Sequence, residues 1–345
     1  MIYEWAVIGA GPSGIAAVGK LIDHGIDSQK ILWIDPTFTV GDFGTRWRNI
    51  PGNTKVQLFL KYLHACHAFN YHDCKIDFEL NHLDPDSTCY LKMMVEPLQW
   101  ITAHLKGNVH AICGSAESLA LNKRNWHISL NNTIYEAKNV ILATGAEAKS
   151  LSYAVPEMLP LYYAMDNTLI HHHIDTQDTI AVFGSSHSAI LVLRNLVEAG
   201  VKQIINFYRS PLCYAVFMQD WILFDDTGLK GTAADWARQH IDGNLPKNLI
   251  RLYSSDENVG EYLPKCNRVV YAIGFERRML PIVHGLGHLT YQEQCGIIAP
   301  GLFGLGIAFP EAKYNKIGLL EYRVGLWKFM QYLDEILSVW LLYPA

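Results

Sequence analysis

Charge is scarce in this chain: Asp, Glu, Lys and Arg make up 18% of its 345 residues, against roughly 25% in an average soluble protein. What charge there is nearly cancels, with 28 Lys and Arg against 33 Asp and Glu and no basic run. Nucleic acid is therefore excluded as the main partner. The seven cysteines, at 66, 74, 89, 113, 213, 266 and 295, include no C-x-x-C pair and are odd in number. A vicinal redox disulfide and a zinc ribbon are thus not expected, and free thiols point to the cytoplasm. No window holds about 18 uncharged apolar residues, so no transmembrane segment is expected. The N-terminus lacks a basic stretch followed by an apolar run and a cleavage site, because Ala6–Ile8 leads straight into glycines. A signal peptide is not expected either.

Apolar residues, in contrast, are plentiful: half the chain is hydrophobic, with nine Trp, 18 Tyr and 13 Phe to fill a core. The length suits two domains. Tyr3–Ile8 is an apolar run that stops at Gly9-Ala10-Gly11-Pro12-Ser13-Gly14. Ile15–His24 reads as a helix ended by Gly25, and Ile31–Ile34 as a strand closed by Asp35-Pro36, together the length of one βαβ unit. The grammar repeats in the second half. Thr179–Phe183 stops at Gly184-Ser185-Ser186-His187-Ser188-Ala189, Ile190–Ala199 reads as a helix, and Ile204–Tyr208 as a strand followed by Arg209-Ser210. Trp126–Leu130 and Val140–Gly145 read as strands around an Asn131-Asn132 turn, and Val269–Gly274 as another strand ending in glycine. Pro156–Pro160 marks a crossing between domains, and the chain from Glu321 onward reads as an amphipathic helix carrying Arg323, Lys328, Asp334 and Glu335.

The first loop is a complete G-x-G-x-x-G. Gly9 allows the tight turn, Gly11 lets backbone approach a pyrophosphate, and Gly14 lets helix and strand pack closely. The helix start at Pro12 and Ser13 offers unpaired N–H groups and a partial positive charge. Asp35, at the end of the next strand, is placed to accept from ribose hydroxyls. In the second loop Ser186 replaces the middle glycine and Ala189 the last, and the following strand ends in Arg209 rather than an acid. An arginine there pairs with a 2′-phosphate, which favours NADP over NAD.

With these loops in view, the chain resembles the two-dinucleotide-domain flavoproteins, in particular the flavin-dependent monooxygenases and the disulfide-oxidoreductase-like proteins that lack the redox cysteine pair. Four features carry the likeness: Gly9–Gly14; Gly44-Thr45-Arg46-Trp47-Arg48 followed by Pro51-Gly52-Asn53-Thr54; Ala143-Thr144-Gly145; and Gly184–Ala189 with Arg209-Ser210. Ala272-Ile273-Gly274 and Gly301–Gly306 stand where the family has a second such turn and the returning FAD strand. The resemblance implies FAD held by the first loop, Asp35, Pro36, Thr45, Trp47, Arg48, Ala116, Ala143, Thr144, Gly145, Gly306 and Ile307. It implies NADPH held by residues 184–189 (Gly184, Ser185, Ser186, His187, Ser188, Ala189), Arg209, Ser210 and Gly274. The chain departs from the family pattern at Gly306-Ile307, where relatives have Gly-Asp, and it lacks the F-x-G-x-x-x-H linker fingerprint.

The fold expected is α/β, two Rossmann-like three-layer dinucleotide-binding domains with the NADPH domain (156–284) inserted in the FAD domain (1–155 and 285–345). The activity implied is an FAD-dependent oxidoreductase that takes hydride from NADPH and oxygenates a small molecule with O2 through a flavin hydroperoxide. Two alternatives stand beside it: an NADPH-dependent flavin reductase or oxidase acting on a quinone or other small acceptor, and a flavin-binding interaction protein with a decayed NADPH site. Arg48, Asn53 and Gln57 are the candidate catalytic residues, as donors near the flavin. His64, Cys66, His67, His72 and Cys74 crowd together, but Val56–Phe69 reads as a helix that would scatter them, and His171-His172-His173 are adjacent; no metal is expected. A homo-oligomer stays open.

Overall fold

The computed structural model describes residues 1–154, 157–287 and 289–345. Two parallel sheets are built on one plan. In the first, Ile2–Ile8 runs at the centre, flanked by Ile31–Asp35 and Thr133–Leu142, with His110–Cys113 and Leu302–Gly304 outside them. In the second, Thr179–Phe183 is central, flanked by Gln203–Tyr208 and Arg268–Tyr271, with Leu249–Tyr253 and Glu157–Met158 outside. The central strands are continuous apolar runs because both of their faces are covered; Ala6, Val7, Ala181 and Val182 are fully buried. Each sheet accordingly separates two hydrophobic clusters.

The strand Thr133–Leu142 outlasts its partner Ile2–Ile8 and bends back into a meander. Its first half pairs antiparallel with Asn125–Leu130, which pairs with Ser118–Asn122. Asn131 and Asn132 make the turn with φ of +48° and +62°, the left-handed pair that a two-residue hairpin requires and asparagine tolerates. The last helix, Leu326–Leu341, lies against Pro12–Asp23 and Val56–Leu63. Its Trp340 stacks on Phe303 at 4.9 Å and donates to the Cys295 carbonyl at 2.7 Å.

Two element readings need correction. The helix from Val56 ends at Leu63, and His67–Phe69 is a separate short turn, with Asn70 at φ +52° after it. The C-terminal helix begins at Leu326, not Glu321, because Leu320–Arg323 is a strand paired with Glu311–Tyr314. Arg323 therefore belongs to a hairpin, where it binds Glu311 at 2.8 Å.

The crossings between the sheets are short paired strands. Ala146–Ala148, leaving the first sheet, pairs antiparallel with Phe275–Arg277, leaving the second. Val155 and Pro156, the expected outgoing boundary, lie outside the described residues. The return precedes residue 285, since Ile282–His284 already pairs with Ser118–Ala120 of the first sheet.

Candidate functional site

The two glycine loops superpose bond for bond in their hydrogen bonding. Gly9 N donates to Ile34 O at 2.8 Å and Gly184 N to Phe207 O at 2.9 Å; Ala143 N meets Ile8 O at 2.8 Å and Ala272 N meets Phe183 O at 2.8 Å. Each helix opens with the equivalent bond, Ile15 N to Gly11 O and Ile190 N to Ser186 O, both 3.0 Å. Gly9 has φ +115° and Gly184 φ +130°, and a Cβ on either would lie 2.2 Å from the carbonyl oxygen of Ala143 or Ala272. Only glycine fits these two positions.

The first loop leaves room for a ligand. A Cβ on Gly11 would find no protein atom nearer than the Val40 oxygen at 4.0 Å, whereas one on Gly14 would strike Gly9 O at 2.0 Å. The middle glycine is thus free of the fold's own constraints, as expected where backbone must touch a pyrophosphate. Gly41 faces it closely enough that a Cβ there would lie 3.2 Å from the Gly11 Cα, in a loop where Phe38 and Val40 are both held at positive φ. Ser13 is buried at the helix start, and Gly306, φ +87°, approaches so closely that a Cβ would lie 2.3 Å from the Ser13 hydroxyl. Ile307 follows, half-buried. Thr144 Oγ1 is buried without a partner beside this loop, and Gly145, φ +76°, faces open space. An orphaned hydroxyl, an open glycine and a helix N-terminus together fit a phosphate-bearing cofactor.

Asp35 is already tied to the backbone. Its carboxylate accepts from the backbone N–H groups of Ala10 at 2.7 Å, Thr37 at 2.9 Å and Phe38 at 2.7 Å, bracing the loop from inside. Pro36 is exposed after it, and Ala116 lies beyond the neighbouring strand His110–Cys113, at the same sheet end. In the second unit strand register makes Tyr208, not Arg209, the counterpart of Asp35, because Ile8 faces Ile34 as Phe183 faces Phe207. Arg209 and Ser210 come one and two residues later, both exposed.

Sequence reasoning missed the residues that hold the loops. Trp33 Nε1 donates to Gly9 O at 2.9 Å, and at the equivalent place Asn206 Nδ2 donates to Gly184 O at 2.8 Å. An asparagine on a buried strand was the available signal. His187 fills the start of the second helix with its Nδ1 buried and unpartnered. Burial, with the charges of Lys230 and Arg194, pulls its pKa down to about 4, so the ring is neutral at neutral pH. Ser185 and Ser188 complete this loop, and Gly274, φ +98°, repeats the open glycine of Gly145.

The turns Ala143-Thr144-Gly145 and Ala272-Ile273-Gly274 run directly into the paired linker strands, so both glycine loops border one seam. The segment from Asp42 to Lys55 is stitched across it. Arg278 binds Asp42 at 2.6 Å, Arg46 lies 5.4 Å over the Tyr162 ring, and Asn49 donates to Asp166 at 3.0 Å. Trp47 sits edge-on to Phe275 at 5.7 Å and to Tyr162 at 6.4 Å, packed on the second half of the chain. Burial opposes ionisation of Asp166, but hydrogen bonds from Thr168, Asn49 and the Leu169 backbone outweigh it and hold its pKa low. Thr45 is exposed and bonds back to Gly41 O at 3.1 Å. Arg48 and Asn53 are exposed at the seam. Gln57 instead shares Asp86 with Lys55, at 3.0 and 2.8 Å, on the surface. The histidine–cysteine group does not converge: His64 packs on His72 and Tyr71, while Cys66 faces Met330 in the core.

No protein-family model matches the chain. By sequence it is 34% identical, over 97% of its length and 97% of the other protein's, to Monooxygenase AgnR1 of Paecilomyces divaricatus. By structure it resembles a flavin-containing monooxygenase from Stenotrophomonas maltophilia (TM-score 0.65, 14% identity, 99% of both chains). It also resembles an ornithine N-hydroxylase of Kutzneria sp. 744 (0.66, 12%, 99% of both) and the bacillithiol disulfide reductase of Staphylococcus aureus (0.64, 13%, 99% of both). At these identities the structural likeness is one of fold. Among the described residues no helix is long and apolar enough to cross a membrane.

Proposed function

The chain belongs to the two-dinucleotide-domain flavoprotein monooxygenases, the family of AgnR1, and from that premise we propose that it oxygenates a small organic molecule with FAD, NADPH and O2. The observation that carries this reading is the duplicated loop geometry at one seam, in a chain whose full length aligns with a monooxygenase. FAD, when bound, supplies hydride acceptance and oxygen activation. The FAD domain is assigned to the first sheet and the NADPH domain to the inserted second one.

The chain's own residues bind, orient and exclude water. Gly11, Ser13 and Gly14 present backbone to the FAD pyrophosphate, with Thr144 and Gly145 beside it. Gly184–Ala189 does the same for NADPH, and neutral His187 adds no charge there. Pairing of Ala146–Ala148 with Phe275–Arg277 holds the two loops in one orientation, the positioning that hydride transfer needs. Trp47 closes the seam against Phe275, which limits water entry. Asn53, on a strand that contacts the helix Gly231–Trp236 of the second half, offers an amide donor at the seam. Gln57 has no such place in the reading, since Asp86 holds it.

The test is direct. The purified protein should be yellow with one FAD, bleach anaerobically on NADPH, and place one atom of labelled O2 in an organic product. Bleaching followed by complete recovery of the electrons as hydrogen peroxide or reduced quinone, with every candidate substrate, would replace the oxygenase by a reductase.

A further inference from the structure

The second unit has no acid at the ribose end of its nucleotide strand; Tyr208 stands where the first unit has Asp35. A different charge has been brought there from the next strand. Arg251, facing Asn206 across the sheet, donates through Nε to Asn206 Oδ1 at 2.9 Å, and its guanidinium carbon lies 4.6 Å from the centre of the Tyr208 ring. Its Nη2 is buried with no hydrogen-bond partner.

Among the described residues, neither Arg251 nor Arg209 lies within ion-pair distance of a carboxylate. The acid whose charge reaches Arg251 is Asp242, and it makes its hydrogen bond with the Tyr214 hydroxyl instead, at 2.6 Å. Burial lowers the pKa of Arg251, and the charges of Tyr208, Asp242 and Tyr214 only partly offset it. A half-buried guanidinium with one buried, unpartnered nitrogen and no ion-pair contact is an expensive arrangement unless an anion completes it. Its planar fork matches the oxygens of a phosphate, and the ring beneath fixes its plane.

We propose that Arg251, with Arg209 at the rim, receives the 2′-phosphate of NADPH and so sets the coenzyme preference; this rests on the NADPH reading above. The same arginine touches Asn206 only through Oδ1, and Asn206 keeps its own bonds to the Val182 and Gly184 carbonyls, so removing Arg251 should spare the loop. A brace alone would serve any dinucleotide equally, whereas a phosphate receptor would discriminate.

Calorimetric titration of the FAD-loaded protein with 2′-phospho-ADP-ribose and with ADP-ribose separates these, because the ligands differ only in that phosphate. Wild type should prefer the phosphorylated ligand at least tenfold. Arg251→Ala should weaken it ten- to a hundredfold while leaving ADP-ribose within about twofold, and Arg251→Lys should recover part of the loss. A wild-type preference that survives in Arg251→Ala and vanishes in Arg209→Ala would overturn this assignment alone. Equal weakening of both ligands would leave Arg251 a brace and overturn it too. A wild type that binds both ligands equally would overturn the NADPH reading itself, and this assignment with it.

Discussion

Gly9 and Gly11 stand close in one loop yet differ in what a side chain would meet. Gly9→Ala puts a Cβ 2.2 Å from the Ala143 carbonyl at φ +115°, so urea denaturation should show a loss of more than about 3 kcal/mol, or no folded protein. A Cβ on Gly11 meets no atom nearer than the Val40 oxygen at 4.0 Å, so Gly11→Val is set against the fold far less than Gly9→Ala. It should fold with stability within about 1 kcal/mol of wild type and yet purify colourless, as absorbance at flavin wavelengths will report. A yellow Gly11→Val protein would mean the first loop does not contact the cofactor. His187 makes a pH prediction at the same scale. Its pKa is held near about 4, against an ordinary value of about 6.5. Between those values the unfolded chain binds a proton that the folded chain refuses, so stability should fall as pH drops through that window. Denaturation at pH 7.5 and pH 5 should show a smaller difference in His187→Gln than in wild type; identical differences would place the His187 ring in water.

At the scale of elements, the turn from Asp225 to Lys230 ties the inserted unit to the C-terminal helix. Lys328 binds Asp225 at 2.6 Å and Asp226 at 2.7 Å, while Lys230 binds Asp225 from the other side. Burial raises the cost of ionising Asp225, but the two lysines outweigh it and hold its pKa low. Such a cluster is worth more than a surface pair, because breaking it leaves partly desolvated charges unpaired. Lys328→Met should therefore speed amide hydrogen exchange through residues 218–230 by about tenfold, equivalent to about 1.4 kcal/mol. Exchange unchanged in that turn would show that the apolar contacts of the helix suffice. The residues Val216 to Met218 are exposed and apolar, and Asp220 after them pairs on the surface with Lys316 of the hairpin that follows Tyr314.

For the whole molecule the seam between the two sheets is the functional unit, and Asn53 reports on it. Asn53→Ala should leave anaerobic flavin reduction by NADPH within about twofold, because the residue lies outside both glycine loops. Its effect should fall on the oxygen half of the reaction, with a larger share of NADPH recovered as hydrogen peroxide once a hydrogen-bond donor at the seam is gone. Stopped-flow reduction and peroxide yield measure the two halves separately. A slowed reduction with unchanged peroxide yield would place Asn53 at the nicotinamide instead.

How much of this was legible in advance follows from the range of the interactions involved. The sequence by itself determined the two strand–loop–helix–strand units, since apolar periodicity, glycines and the helix start act within about 30 residues. Gly14 was readable for the same reason, since its close contact is with Gly9 in the same turn, whereas Gly9 and Gly184 are packed against Ala143 and Ala272 far along the chain. The helices expected to end at Phe69 and to start at Glu321 are both shorter in the structure, because an apolar run does not reveal where a tertiary partner replaces the helical bond. Only the tertiary structure decided that Asp35 braces Ala10 rather than standing free, that Tyr208 is its counterpart, and that Gln57 belongs to Asp86. Arg251 was invisible for a further reason. Its bond to Asn206 and its seat on Tyr208 come from strand register across residues far apart in the chain, and no local pattern encodes which strand will lie beside which.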